Sequence, residues 1–209
     1  MNKIALLIIL VCGIISNDAS SQSSITKKSQ TGNKMEIATL ANGCFWCTEA
    51  IFQRLKGVEK ITSGFSGGRT RNPSYKEVVT GRTGHAEVIQ LEFDNEIISF
   101  KEILDVFFST HDPTTLNRQG YDRGTQYRSA IFYHNTEQKQ VAESFVKDLS
   151  EAKVFDDPIV TEVTEFDKFY AAEDYHQNYY NNNKTQGYCM AVINPKLKKF
   201  LKKYKTKLK

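Results

Sequence analysis

Between Asn42 and Ala50 the chain reads Asn-Gly-Cys-Phe-Trp-Cys-Thr-Glu-Ala, and this stretch joins a strand pattern to a helix pattern. A short apolar segment, Met35 to Ala41, precedes it and is typical of a β-strand. Apolar residues at helical spacing follow it, and Gly57 is a typical signal for the end of a helix. The pattern therefore predicts a strand–helix junction, with Cys44 in the first turn of the helix.

Cys44 is placed by this pattern where a thiolate is favoured. The first turn of a helix presents unpaired backbone N–H groups and the positive end of the helix dipole. The thiolate is an anion, and it is also the reactive form of cysteine. We therefore predict that Cys44 is a nucleophile. The alternative is a buried structural cluster of Cys44, Phe45 and Trp46, and the spacing alone does not choose between the two.

The composition is that of an ordinary globular domain. The chain has 209 residues, which predicts one domain with a substantial hydrophobic core. Its apolar fraction of 40% and charged fraction of 25% indicate neither a disordered chain nor a coiled coil. The formal net charge of +4 is too small to indicate nucleic-acid binding. We expect a monomer.

The first 34 residues have the pattern of a targeting segment followed by a linker. Lys3 and the apolar run Ile4 to Ile15 predict a signal peptide over residues 1–20, because the run is short for a membrane span. Cys12 raises the alternative of a lipoprotein leader, although Val11 is larger than that type of cleavage normally requires. Residues 21–34 are polar and predict a flexible linker. We expect an exported protein in the periplasm or cell envelope, either free or lipid-anchored through Cys12.

The segment His85 to Phe93 alternates with a period of two, which predicts a strand with one buried face. Glu87 shares its face with Ile89 and Leu91, so we expect its carboxyl group to point into the domain. Apolar surroundings raise the pKa of a carboxyl group, which suits a general acid near neutral pH. The alternative is a Glu87 that lies exposed at a frayed strand end or pairs with an arginine.

The rest of the chain predicts further strands and helices and two polar segments. A capping box at Ser99 precedes a helix whose aromatic stripe predicts core packing. Residues 118–128 predict a loop that either builds a site or lies solvated at the surface. Residues 170–180 predict a helix, and residues 196–209 hold eight lysines and predict a solvated tail rather than a membrane contact. The element order predicts an α+β fold, a two-layer sandwich with a split βαβ, ferredoxin-like core.

Five groups of residues form a recognisable set when they are taken together. They are Gly43-Cys44-Phe45-Trp46; Gly67-Gly68 with Asn72-Pro73-Ser74-Tyr75; Gly81 with Thr83-Gly84-His85-Ala86-Glu87; His111-Asp112-Pro113 with Gly124-Thr125-Gln126-Tyr127-Arg128-Ser129; and Glu173-Asp174-Tyr175-His176-Gln177. Through them the chain resembles the peptide methionine sulfoxide reductase A family. The resemblance spans residues 35–195, which we take as the catalytic domain, and the two-layer α+β fold of the family agrees with the element order.

The resemblance implies reduction of the S-epimer of methionine sulfoxide, free or in proteins, to methionine. By analogy with the family, the Cys44 thiolate attacks the sulfoxide sulfur and Glu87 donates a proton to its oxygen. Tyr75 and Tyr127 hydrogen-bond the same oxygen, and Asp122 helps to hold the polar network. No metal or organic cofactor is implied.

The resemblance also assigns residues that bind the substrate. Phe45 and Trp46 form an apolar wall that receives the S-methyl group, and His176 is a supporting residue of the site. Such a wall separates an alkyl sulfoxide from more polar competitors.

Release of methionine leaves Cys44 as a sulfenic acid, which a second thiol must convert into a disulfide. Cys189 matches the family's usual C-terminal resolving cysteine, and the predicted flexible loop Gln186-Gly187-Tyr188-Cys189 could carry it to Cys44. Cys47 stands where many members have glycine, and it offers a second candidate. We expect Cys189 to react first, since Cys44 and Cys47 both lie at a helix start. A thioredoxin-like partner then reduces the final disulfide.

Two other classes of function compete with this interpretation. A thioredoxin-like dithiol oxidoreductase also places Cys-x-x-Cys at a helix start, but it explains neither Glu87 nor the tyrosines. A zinc-binding module could use Cys44, Cys47, Cys189 and His176 as ligands, but it leaves the Phe-Trp pair and the glycine-rich loops unexplained. A non-enzymatic binding module explains the motifs least well.

Overall fold

The computed structural model describes residues 35–209. The predicted signal peptide, the linker and Cys12 therefore lie outside the described residues. Within residues 35–209, no helix combines the length and the apolar character that a membrane crossing requires.

A six-stranded sheet forms the centre of the domain, and a two-stranded hairpin lies beside it. The strands in chain order are β1 (Met35–Asn42), β2 (Val58–Ser66), β3 (Ala86–Asp94), β4 (Arg118–Gln119), β5 (Asp122–Arg123), β6 (Ser129–Tyr133), β7 (Glu162–Glu165) and β8 (Phe169–Ala171). Across the sheet the order is β7-β6-β1-β3-β2-β8, and β4 pairs with β5 in the hairpin. Neighbouring strands are antiparallel except for β6 and β7, which are parallel.

Residues 35–209 also contain six α-helices. They are α1 (Phe45–Phe52), α2 (Tyr75–Val78), α3 (Phe100–Ser109), α4 (Thr136–Glu151), α5 (Tyr179–Asn182) and α6 (Asn194–Lys203). A π-helical turn, Cys189–Ile193, runs directly into α6. The mixture of helices and strands confirms the predicted α+β class.

The main core lies between one face of the sheet and the helices. Ile89, Leu91 and Phe93 of β3 are fully buried there, together with residues of α1 and α3. The alternate residues of β3, Ala86 and Val88, belong to a smaller cluster on the opposite face. This division follows from the period-two alternation of the strand, so the predicted inner face of β3 is confirmed.

Helix α3 begins where the sequence predicts. The Ser99 side chain accepts from the Glu102 backbone N–H at 3.3 Å, and the Ser99 N–H donates to the Glu102 carboxylate at 2.9 Å. The two hydrogen bonds of this capping box satisfy backbone groups that the helix itself leaves unpaired. The aromatic stripe behind it packs in the core, as predicted.

The predicted solvated tail is wrong in one respect. Leu197, Phe200 and Tyr204 lie among the lysines but are buried, and each belongs to the main core. The Tyr204 hydroxyl donates to the Asp105 carboxylate at 2.9 Å, which anchors the segment to α3. The lysine count hid an apolar face with helical spacing, so the last residues are an integral part of the domain.

The predicted helix over residues 170–180 is also wrong in extent. This segment begins in β8, continues through a 3₁₀ turn at Asp174–His176 and enters the short helix α5. Asn178 adopts a left-handed backbone conformation with φ of 54°, which interrupts any continuous helix.

Truncation of the buried ring of α6 tests whether this segment stabilises the domain. Phe200 is 2% exposed, so we expect Phe200→Ala to lower the free energy of unfolding by about 3–5 kcal/mol. The neighbouring Leu201 is 37% exposed and provides a matched control, for which Leu201→Ala should cost less than about 1 kcal/mol. Urea unfolding measures both values. Equal stability of the two variants would show that the segment is not part of the cooperative unit.

Candidate active site

Cys44 lies at the N-cap of α1, as predicted. Gly43 makes this possible, because its φ of 97° belongs to the left-handed region and a Cβ there would lie 2.6 Å from the Gln119 side chain. The Cys44 carbonyl accepts from the N–H groups of Cys47 at 3.1 Å and Thr48 at 3.4 Å. The thiol therefore sits at the helix start while its residue is only 8% exposed.

Burial opposes the formation of a thiolate on Cys44. Burial raises the pKa of the Cys44 thiol well above its ordinary value, and the negative charges of Cys47 and Glu87 raise it further. A hydrogen bond from Cys44 lowers the pKa of Cys47 to about 7, and the positive charge of Lys196 acts in the same direction. The two thiols thus share one proton near neutral pH, and in the resting state Cys47 carries more of the negative charge.

Glu87 points into the domain and is 1% exposed. Its carboxylate accepts one hydrogen bond, at 3.0 Å from the backbone N–H of Phe45, the residue that follows Cys44. Burial raises the pKa of Glu87 to about 8, and the negative charge of Asp122 adds to the effect. The carboxyl group therefore retains its proton at neutral pH. The exposed or arginine-paired alternative for Glu87 is wrong.

Tyr75 and Tyr127 both interact electrostatically with Glu87. Burial raises the pKa of Tyr75 and of Tyr127, and the next cause for both is the negative charge of Glu87. Cys44 acts on both in the same sense, and the Tyr75 ring stacks on Phe45, the residue after Cys44, with centroids 6.1 Å apart. Neither hydroxyl has a hydrogen-bond acceptor within residues 35–209, so both are free to donate to a bound oxygen.

Phe45 and Trp46 form an aromatic wall next to the thiols. Trp46 stacks on Tyr179 with ring centroids 3.8 Å apart and an interplanar angle of 9°. Its indole N–H donates to His176 Nδ1 at 3.2 Å, and His176 lies 4.1 Å from the ring of Tyr75. Burial lowers the pKa of His176, so the ring is neutral and accepts this hydrogen bond. The structure therefore brings the predicted His176 to the wall.

The sequence reasoning did not identify Glu49 as part of the site. Its carboxylate accepts from the backbone N–H groups of Asn178 at 2.7 Å and Tyr179 at 3.2 Å. These hydrogen bonds hold the start of α5 against α1, and so they fix Tyr179 on Trp46. The signal available in the sequence was a carboxylate within a short, largely apolar helix. In the structure Glu49 is 3% exposed, and a buried carboxylate needs hydrogen-bond donors.

Tyr188 is a second residue that the sequence reasoning left without a role. Its hydroxyl donates to Asp122 at 2.7 Å and lies 3.9 Å from the Cys47 sulfur. Its ring meets Trp46 edge to face at 5.9 Å. Asp122 itself lies on the β4–β5 hairpin, so the predicted loop over residues 118–128 contains regular structure and does contribute to the site.

Cys189 does not lie in a flexible loop. It begins the π-helical turn before α6, and its side chain is completely buried. Cys44, Cys47 and Cys189 are all free thiols, which makes this the reduced state. The negative charge of Cys47 contributes to a raised pKa of Cys189, after burial, so the third thiol lies near the pair. The expected delivery of Cys189 by an open loop must be replaced by a local rearrangement of this turn.

The zinc alternative finds no geometric support. Within residues 35–209, no group of three or more Cys, His, Asp or Glu side chains is arranged to hold a metal ion. The Nδ1 atom of His176, moreover, is occupied by the Trp46 indole.

Known proteins resemble the chain over most of its length. The model of the family described as peptide methionine sulfoxide reductase matches residues 36–209. A peptide methionine sulfoxide reductase MsrA of Saccharolobus solfataricus is 54% identical over 175 residues, which cover 84% of this chain and 98% of the relative. One of Deinococcus radiodurans is 51% identical over 193 residues, or 92% of this chain and 94% of the relative.

Solved structures share the fold. Mxr1 of Saccharomyces cerevisiae in reduced form is 34% identical, with a TM-score of 0.70 over 75% of this chain and 90% of that one. Methionine sulfoxide reductase A of Corynebacterium diphtheriae is also 34% identical, with a TM-score of 0.66 over 75% and 78% of the two chains. Mxr1 has further been crystallised in complex with Trx2. The chain belongs to the peptide methionine sulfoxide reductase family.

Proposed function

We propose that this protein reduces the S-epimer of methionine sulfoxide, free or in proteins, to methionine, and that its thiols supply the electrons. The observation that carries the proposal is the arrangement around Cys44. A buried, protonated Glu87 and two unpaired tyrosine hydroxyls converge on the thiol. This set provides a nucleophile for sulfur together with a proton and hydrogen-bond donors for oxygen.

The first step is attack of the Cys44 sulfur on the sulfoxide sulfur. The Cys44 proton passes to the neighbouring Cys47 thiolate, which leaves the charge on Cys44. Glu87 gives its proton to the sulfoxide oxygen, and Tyr75 and Tyr127 donate hydrogen bonds to it. The hydroxyl group then passes from the substrate sulfur to the Cys44 sulfur, and the bond between the two sulfurs breaks, so that methionine leaves and Cys44 becomes a sulfenic acid.

The aromatic wall orients the substrate for this step. Phe45 and Trp46 contact the S-methyl group, and the stacking on Tyr179 together with the hydrogen bond to His176 keeps Trp46 in place. An apolar wall on one side of Cys44 and oxygen donors on the other fix the sulfoxide in one orientation. A fixed orientation distinguishes the two epimers.

The geometry favours Cys47, rather than Cys189, as the first resolving thiol, which reverses the order expected from the sequence. Cys47 lies in the same helical turn as Cys44, and its N–H donates to the Cys44 carbonyl at 3.1 Å, whereas Cys189 is fully buried in its own turn. Positions three apart in a helical turn have neighbouring side chains, so the bond needs little unwinding. Cys47 attacks the sulfenic sulfur and water leaves. Cys189 then attacks Cys47, which releases Cys44 and leaves a Cys47–Cys189 disulfide.

Counting methionine in the absence of reductant tests this relay. The pre-reduced wild type should form about two methionines per chain, because Cys44 is regenerated once. Cys189→Ser should form about one and end with a Cys44–Cys47 disulfide. Mass spectrometry of the quenched protein identifies the disulfides. If Cys189→Ser stops at a sulfenic acid on Cys44, then Cys189 resolves directly and the proposed order is wrong.

A thioredoxin-like protein is the partner that reduces the final disulfide. The complex of the related Mxr1 with Trx2 supports this assignment for the family. Exchange requires a partner thiolate to attack one sulfur of the disulfide, so the Cys47–Cys189 bond must become accessible first.

We further propose a ferredoxin-like split βαβ core within a two-layer domain. Helix α1 connects β1 to β2, and β3 lies between these two strands in the sheet. The catalytic domain then starts at residue 35, and residues 196–209 form its last packed segment rather than a separate tail.

We propose that residues 1–20 act as a signal peptide or lipoprotein leader and residues 21–34 as a linker. The domain would then act in the periplasm or cell envelope, free or tethered through Cys12. The apolar run and its basic start support the proposal. Mass spectrometry of the protein from fractionated cells tests it, since a lipid adds a defined mass to Cys12. A cytoplasmic protein that retains residues 1–20 would contradict it.

A further inference from the structure

A cleft of about 550 Å³ leads from the surface to the two thiols. Cys44 and Cys47 lie in its lining, and helix α6 forms one wall. Asp122 and Tyr188 also line it, and Tyr188 donates to Asp122 and lies 3.9 Å from the Cys47 sulfur, so the cleft borders the thiols. Its size is that of sites which hold small ligands or short peptide segments.

The α6 wall presents lysines at helical spacing. Lys196, Lys199 and Lys203 line the cleft, whereas Lys198 and Lys202 do not. Lys203 donates to Ser109 at 2.6 Å, and within residues 35–209 neither Lys196 nor Lys199 pairs with a carboxylate. The cleft therefore has unpaired positive charge along one side.

The two aspartates of the cleft already accept hydrogen bonds, and its histidine is neutral. The Asp122 carboxylate accepts from Tyr188 at 2.7 Å, and Asp112 accepts from the Thr114 hydroxyl at 2.6 Å. Burial lowers the pKa of His111 to about 3, so this ring is neutral. Lys196 and Lys199 are therefore the charged groups of the lining that have no hydrogen-bond or ion-pair partner within residues 35–209.

The state of the thiols indicates which molecule the cleft receives. Within residues 35–209 the cysteines Cys44, Cys47 and Cys189 are free thiols, which is the form of the protein that meets the sulfoxide. Tyr188 and Val192, which belong to the segment around Cys189, form part of its lining. Cys189 is completely buried in this segment, so we expect the segment to move when Cys189 joins a disulfide. A reductant therefore meets a different surface from the one described here.

We propose that this cleft binds the polypeptide on either side of an oxidised methionine and favours segments that carry aspartate or glutamate there. The proposal rests on the proposed sulfoxide reductase function and names a substrate class for it. The carboxylates of the segment pair with Lys196 and Lys199, while its apolar atoms lie along Val192 and Pro195. Charge complementarity of this kind raises the rate of productive encounter.

Three capped peptides with a central methionine S-sulfoxide, flanked by glutamates, glutamines or lysines, test the proposal. The measured quantity is the second-order rate constant for methionine formation, the single-turnover counterpart of kcat/KM. The protein is pre-reduced, and no reductant is present. At low salt the wild type should prefer the glutamate peptide over the lysine peptide by about tenfold. About 0.5 M salt should remove most of this preference. Free methionine sulfoxide is reduced in parallel as a test of the basic activity.

Two charge reversals on the same helix localise the effect. Lys199→Glu should abolish or invert the preference, whereas Lys202→Glu, which faces away from the cleft, should retain it. Equal shifts in the two variants would assign the preference to overall charge and overturn the proposal. Equal reduction of all three peptides by the wild type would also overturn it.

Two further outcomes are distinguishable. A charge effect that appears only in steady-state turnover with a reductant would assign the lysines to the reductant and overturn the proposal. Failure to reduce even free methionine sulfoxide would instead overturn the underlying function, and the inference with it.

Discussion

Cys44→Ser is expected to lose methionine formation by more than about a thousandfold in a single turnover. A serine hydroxyl remains protonated at neutral pH and is a weak nucleophile for sulfur. It also cannot pass through the sulfenic acid and disulfide states that carry the electrons. Methionine released from methionine S-sulfoxide by the pre-reduced variant, measured by chromatography, checks the prediction.

The thermal midpoint of unfolding provides the control for this variant, because it shows whether the protein is folded. The substitution is nearly isosteric at an 8% exposed position, so the thermal midpoint should change little. A folded Cys44→Ser protein that still forms methionine at the wild-type rate would remove Cys44 from the mechanism. Cys47 would then be the next candidate nucleophile.

Glu87→Gln is expected to slow the chemical step by about 10²–10⁴-fold. Glutamine still accepts the Phe45 N–H hydrogen bond, but it has no proton to donate to the sulfoxide oxygen. The pH profile provides a second test. Since the pKa of Glu87 is raised to about 8, the wild-type single-turnover rate should fall above about pH 8, and the variant should lack this decline. A variant that reacts as fast as the wild type would contradict the assignment.

The same substitution should stabilise the protein. The folded protein holds the Glu87 proton up to about pH 8, whereas the unfolded chain loses it near the ordinary value of 4.5. Stability therefore falls as pH rises between these two values, because the folded state binds more protons there. Glu87→Gln removes this loss and should raise the free energy of unfolding by about 3 kcal/mol at pH 7. A less active yet more stable variant is what distinguishes a buried acid from a structural residue.

The local parts of the site could be predicted from the sequence. The position of Cys44 follows from a strand, a glycine and a helix that are adjacent in the chain. The orientation of Glu87 follows from the period-two alternation of β3. Both depend on neighbours within a few residues, and both are confirmed by the structure.

The C-terminal part could not be predicted in the same way. The Tyr188–Asp122 hydrogen bond joins residues 66 positions apart, and no local pattern encodes such a contact. The burial of Phe200 was obscured by the lysines around it. The order in which the thiols react depends on the burial of Cys189 in its turn. The loop-like sequence with a glycine before Cys189 predicted an accessible thiol instead. Tertiary packing decided each of these features.

The most direct measurement of the central claim is a single turnover of the pre-reduced protein with each epimer of methionine sulfoxide, without any reductant. We predict methionine from the S-epimer, a matching loss of free thiols, and oxidation that begins at Cys44 when the reaction is quenched with a sulfenic-acid trap. The R-epimer should give no methionine. A folded, fully reduced protein that forms no methionine from the S-epimer, or forms it without loss of thiols, would contradict the account.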